Sequence, residues 1–158
     1  MSSLLRPFAL IKTLALALIF CAGQAAFAEP VEQKVWIKPI HENGQCRVTA
    51  YFKGDQDNCS AHDAHGRGDC PKDTGCVCTR QEKHITWQMD GAESFALVFD
   101  QGSANPFVEK GDSDCKFQSN KKGKLRCRVK GKDTPRGMYA YTVQVPDCGS
   151  AHLKVKIF

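Results

Sequence analysis

The chain has 158 residues, a formal net charge of +5 and nine cysteines. That length suits one domain with a core of its own. It contains no nucleophile elbow, His-Glu-x-x-His helix, phosphate loop or dinucleotide fingerprint, so the enzyme classes that those motifs carry gain no support.

Residues 1–28 read as a secretory signal peptide. Arg6 and Lys12 give a positive start, Leu14 to Phe20 form an apolar run too short to span a membrane, and Ala26-Phe27-Ala28 offers a small-x-small cleavage site before Glu29-Pro30. A lipid anchor on Cys21 is the competing reading; Phe20 stands against it, where lipoproteins need a small residue. Cleavage would leave a single domain over 29–158, with eight of the nine cysteines and no transmembrane segment. The expected localisation is periplasmic or secreted. In such an oxidising compartment cysteines read as disulfides before they read as metal ligands or nucleophiles.

From there the pattern is β almost throughout. Lys34 to Ile40 and Gln45 to Phe52 are strand-like and flank Asn43-Gly44, a strong hairpin turn signal. Residues 53–76 lack apolar periodicity and form one long loop rich in Gly, Asp, His and Cys. Alternation returns at His84, with Ile85, Trp87 and Met89 on one face, and continues in Phe95, Leu97 and Phe99. Residues 101–112 are loop, broken at Asn105-Pro106. Cys115 to Phe117 and Lys124 to Val129 read as a hairpin around Asn120-Lys121. After the turn Thr134-Pro135-Arg136-Gly137, Tyr139, Tyr141, Val143 and Val145 alternate, and Leu153, Val155 and Ile157 close the chain. About eight short strands with no helical periodicity predict an all-β fold: an antiparallel Greek-key β-sandwich, cupredoxin-like or immunoglobulin-like, stapled by disulfides.

The long loop gathers Cys59, His62, His65, Cys70, Cys76 and Cys78. One reading is a disulfide-stapled loop with solvated histidines. The alternative is a zinc or copper site on which His62 and His65 sit, because a loop can wrap several soft donors around one ion. Cys76-Val77-Cys78 lacks the Cys-x-x-Cys spacing of thiol oxidoreductases; its side chains are expected to leave a strand on opposite faces and to take different partners. Cys115 and Cys127, on the two arms of the predicted hairpin, are expected to bridge. Cys148 has no local partner and is expected to reach back to the amino-terminal half, with Cys46 one candidate. Eight cysteines allow 105 pairings, and the remainder stay open.

Charge is divided unevenly. Residues 29–115 hold 9 basic and 15 acidic residues, net −6, whereas 116–158 hold 11 and 2, net +9. Either a polyanionic partner or internal complementarity would account for this. Within the basic half, Lys122, Lys124, Arg126, Arg128, Lys130 and Lys132 occupy every even position, with Gly123, Leu125, Cys127, Val129 and Gly131 between them. As one unbulged strand, the segment would bury its odd positions and present a row of cations about 7 Å apart. Such a ridge suits an anionic polymer or an anionic membrane surface. With no aromatic platform expected beside it, single-stranded nucleic acid is disfavoured. Lysines that block edge pairing are the competing explanation.

The order of Ile85-Thr86-Trp87, Phe95 to Phe99, Asn105-Pro106-Phe107 and Gly137-Met138-Tyr139-Ala140-Tyr141-Thr142-Val143 resembles small exported bacterial cupredoxin-like domains over roughly residues 76–158. The resemblance implies the sandwich but not the type-1 copper site: Val143 holds the expected Cys position, Cys148 and His152 follow, and no methionine comes after Met138. The expected function is therefore a non-enzymatic exported binding module without a cofactor, using the basic strand. The alternative is a periplasmic metal-handling protein using the loop at 59–78.

Overall fold

The computed structural model describes residues 32–53, 59, 68, 70–71, 75–91, 94–100, 102–109 and 115–158. The segment read as a signal peptide, Cys21 included, lies outside these residues, as do His62, His65 and most of the long loop.

β1 (Glu32–Glu42) and β2 (Gln45–Tyr51) form the expected hairpin. Asn43 and Gly44 turn it with φ of 52° and 75°, the left-handed pair that a type I′ turn requires. β3 (Val77–Thr79) crosses to a second sheet, β4 (His84–Met89) returns beside β1, and β5 (Ala96–Val98) crosses again. β6 (Lys124–Arg128) forms an edge of the first sheet, and β7 (Gly137–Val145) and β8 (Gly149–Ile157) form the middle of the second. The result is two four-stranded sheets, ordered β2-β1-β4-β6 and β3-β8-β7-β5.

The β-sandwich is as expected, but its pairing is mixed. β1 pairs with β4 and β3 with β8 in parallel, while the other neighbours are antiparallel. The chain leaves the first sheet after β2, passes through β3 in the other layer and comes back at β4 running as β1 does. Alternation along a strand cannot report such a direction.

The predicted hairpin over 115–129 also differs. Asn120 and Gly123 close a tight turn before β6, but the preceding arm bonds elsewhere. Leu97 donates its N–H to Phe117 at 2.8 Å and Ser119 to Phe95 at 2.8 Å, so this arm extends the β5 side, while Cys115 donates to Val108. The Cys115–Cys127 disulfide is present, with Cα atoms 4.4 Å apart. It therefore joins two separate strand partnerships rather than rungs of one ladder.

Alternation places apolar side chains between the sheets. Trp87 on β4 and Tyr141 on β7 are 0% and 1% exposed, and the indole N–H donates to the phenol oxygen at 2.8 Å across the sandwich. Phe107, carried in by the Asn105-Pro106 loop, meets Trp87 edge-on at 5.5 Å. Tyr139 donates to the Pro135 carbonyl at 2.6 Å, pinning the turn into β7. Cys46–Cys148 ties β2 to the turn between β7 and β8, and so staples one sheet to the other.

Cys59–Cys78 and Cys70–Cys76 form a second, fully buried cluster. Cys76 and Cys78 do take different partners, but they point to the same cluster, not to opposite faces. Residues two apart share a face of a strand.

Candidate functional site

β6 is an edge strand whose odd positions fill the core: Leu125 is 5% exposed and Cys127 0%. The same alternation extends past both strand ends. Gly123 and Val129 are buried, whereas Lys122, Lys124, Arg126, Lys130 and Lys132 are exposed and Arg128 is half-buried. The regular strand, however, is only Lys124–Arg128, shorter than the unbroken 122–132 that the pattern predicts. The reason is local. Lys122 belongs to the Asn120–Gly123 turn, and Val129 meets Phe107 through an isolated bridge. Beyond it, Lys130 donates its ammonium to the Asn105 carbonyl at 2.8 Å. The ridge is therefore open at Lys122 to Arg126 and engaged by the 105–108 segment at its other end.

Register shows what stands beside these cations. Paired residues share a face, so three rows cross the outer surface of the first sheet. One is Tyr51, Trp36, Gln88 and Lys124; the next is Lys34, Thr86 and Arg126; the third is Glu32, His84 and Arg128. An aromatic pair thus shares the face of the ridge, against the expectation that none is there. Trp36 and Tyr51 have ring centroids 6.5 Å apart, inclined by 30°. Lys53 stands over the Trp36 ring, 3.3 Å from its centroid, and its ammonium lies 3.6 Å from Asp90. Their placement depends on β1 pairing with β4, roughly 50 residues later in the chain, which no local pattern reveals.

Glu32 is the acid among these cations. Its carboxylate accepts from the Thr86 hydroxyl and, at 3.2 Å, from Arg126 Nε. Partial burial raises its pKa, but the Thr86 hydrogen bond and the charges of Arg126 and Lys124 outweigh burial and hold it below the usual carboxylate value. His84, beside it, is held below the usual imidazole value by burial, then by Arg126 and Arg128, against the pull of Glu32. Near neutral pH the face therefore carries an ionised Glu32, a neutral His84 and the ridge cations.

Where 116–120 approaches β6, Lys116, Gln118, Ser119, Asn120, Lys124, Leu125 and Arg126 line a pocket of about 420 Å³. Among the described residues no acidic side chain lines it. Lys116 is exposed, and comes from a different segment than Lys124 and Arg126.

All eight cysteines from Cys46 onward are paired. The sulfurs of Cys59, Cys70 and Cys78 lie within 4.8 Å of one another, but as cystines they offer no thiolate to a metal. His62 and His65 lie outside the described residues, as do the loop acids Asp55, Asp57, Asp63, Asp69 and Asp73 that internal charge complementarity would use. At the positions of the copper ligands in the cupredoxin resemblance, Val143 is 0% exposed in the core, Cys148 is bonded to Cys46, and His152 Nδ1 lies 3.0 Å from the Thr142 hydroxyl. Among the described residues no helix is long and apolar enough to cross a membrane.

No protein-family model matches the chain, and no curated protein matches its sequence. Among solved structures, it is similar to the multicopper oxidase McoA from the hyperthermophile Aquifex aeolicus, at 8% identity and a TM-score of 0.37, covering 80% of this chain and 26% of the oxidase. A variant of that oxidase gives 8% and 0.39, covering 82% of this chain and 27% of its own. A reduced amicyanin mutant gives 15% and 0.32, covering 54% and 72%. This chain thus spans about a quarter of the oxidase's length. Likeness at these scores transfers no activity.

Proposed function

We propose that this chain is an exported binding module whose outer β2-β1-β4-β6 face holds an anionic polymer through the cations of β6. The observation that carries this reading is the burial alternation from Lys122 to Arg126, which turns Lys122, Lys124 and Arg126 outward while Gly123 and Leu125 face the core. Four disulfides fit export to an oxidising compartment, periplasmic or extracellular. An anionic membrane is the less favoured partner. Among the described residues the one exposed large hydrophobic is Val98, which belongs to the other sheet, and Trp36 and Tyr51 on this face are half-buried, so this face offers little exposed apolar area to enter lipid.

The test is retention on immobilised heparin, a sulfated polymer, across a salt series. Lys124→Glu combined with Arg126→Gln should elute at much lower salt than the natural protein with little loss of stability, since exposed charges contribute little to folding. Arg128 is left intact because it is half-buried, with Nε enclosed. Equal elution of the two proteins would reduce the ridge to a solubility device. A metal site that used the loop cysteines would first require reduction of Cys59–Cys78 and Cys70–Cys76, whereas one on His62 and His65 would not.

A further inference from the structure

A polymer could follow β6 along its length or leave it across the strands, and the two paths use different residues. The path along β6 is engaged at its far end. Arg128 Nε is enclosed, the Arg128 carbonyl accepts from Val108 at 3.0 Å, and Lys130 is held on Asn105. Among the described residues the path across the sheet is free of loop contacts, with the Glu32 carboxylate, held by Thr86 and Arg126, at its flank. It starts in the pocket where Lys116 faces Lys124 and Arg126, with the Ser119 hydroxyl and the side-chain amides of Gln118 and Asn120 around it. It passes Lys34 in the row of Arg126, and ends at Trp36 and Tyr51 in the row of Lys124. With neighbouring strands about 4.8 Å apart, Lys124 and Trp36 are separated by about 10 Å across Gln88.

Resting on the polyanion reading above, we infer that the ligand is an acidic polysaccharide, sulfated or uronic, that crosses the strands. One anionic substituent enters the pocket of Lys116, Lys124 and Arg126, and a sugar ring lies against Tyr51 and Trp36. The chemistry of the face selects this class. A pocket lined by cations, a hydroxyl and amides offers a sulfate or carboxylate both charge and directed N–H and O–H donors. Tyr51, beside the Trp36 ring that Lys53 covers, offers an apolar sugar face a shallow platform, and Lys53, which also lies 3.6 Å from Asp90, faces a second acidic substituent there. A single-stranded nucleic acid would need several free ring faces for successive bases. Among the described residues this face has two aromatics, and Lys53 lies over one of them.

The experiment measures binding of a defined sulfated oligosaccharide by calorimetry, with an oligodeoxythymidine and phosphatidylglycerol vesicles as comparison probes. Lys116→Ala and Tyr51→Ala should each weaken the oligosaccharide about tenfold, the scale of a central interface residue. Tyr51→Ala should leave the salt slope unchanged, and Lys116→Ala should lower it by about one. Lys130→Ala and Lys132→Ala should bind as the natural protein does. Thermal melts of every variant establish that it is folded; if Tyr51→Ala is not, Tyr51→Leu, which keeps bulk and loses the ring, replaces it. Loss of binding in Lys130→Ala and Lys132→Ala, with Lys116→Ala and Tyr51→Ala silent, would overturn the cross-strand path and leave the polyanion reading standing. Tighter binding of the oligodeoxythymidine or of the vesicles would overturn the glycan assignment. Absence of binding to all three probes would overturn both.

Discussion

Glu32 and Arg126 are joined across β4: Arg126 Nε donates to the carboxylate of Glu32 at 3.2 Å, although the two lie 94 residues apart in sequence. The pair ties the start of β1 to the middle of the basic strand and takes up part of a cation that a polyanion would use. Glu32→Gln should therefore tighten polyanion binding, moving heparin elution to higher salt. Its stability should change little, because Arg126 is about half exposed and such pairs contribute at most about 1 kcal/mol. Earlier elution of Glu32→Gln would show that Arg126 needs the carboxylate to hold its position.

His84 makes stability depend on pH. The unfolded chain takes up a proton at the ordinary imidazole pKa of 6.5, while the folded protein, with the pKa lowered by burial, Arg126 and Arg128, resists it. Below 6.5 the unfolded state binds more protons, so the contribution of His84 is complete above that value and is lost as pH falls through the folded pKa. His84→Gln should show a shallower loss of stability than the natural protein when chemical denaturation is compared at about pH 7 and pH 5. Parallel curves would mean that His84 titrates normally.

The Trp87–Tyr141 hydrogen bond should be the most sensitive point between the sheets. Burial already pushes the Tyr141 phenol well above its ordinary pKa, so it remains a neutral acceptor and donor. Tyr141→Phe keeps the ring packing but strands a fully buried indole N–H, a loss of about 1–3 kcal/mol. Urea denaturation measures it. A change below about 0.5 kcal/mol would show that the N–H finds another partner.

Cys46–Cys148 closes the longest loop, with a sequence separation of 102. Replacing both with Ser should cost about 4–5 kcal/mol if the bridge acts by restricting the unfolded chain. The fall in denaturant midpoint under non-reducing conditions reports it. A cost below about 1 kcal/mol would mean that the β2 and β8 packing holds the sheets without the staple.

Strand positions were legible because they depend on local alternation. Ile85, Trp87 and Met89, and Tyr139, Tyr141 and Val143, fill the core as their spacing requires. Asn43-Gly44 was legible because its turn chemistry is local. What was hidden depends on long-range pairing: the parallel β1–β4 match, and with it the placing of Trp36 and Tyr51 beside the cations. The hairpin over 115–129 misled for a related reason. Asn120 does initiate a turn, but the arm before it finds Phe95 and Leu97 of the other sheet instead of β6. The pocket is hidden for the same reason, since Lys116 reaches Lys124 and Arg126 through that pairing and not through sequence spacing.

The most direct test of the central claim is the salt dependence of affinity for a sulfated polymer, measured on the natural protein and on Lys124→Glu/Arg126→Gln. Counterion release by the cations of this face predicts a linear fall of log affinity with log salt, with a slope of about −3 for the natural protein, and a clearly shallower slope with weaker binding for the variant. A slope near zero, or one that the two substitutions leave unchanged, would contradict the assignment of this face as the site of polyanion binding.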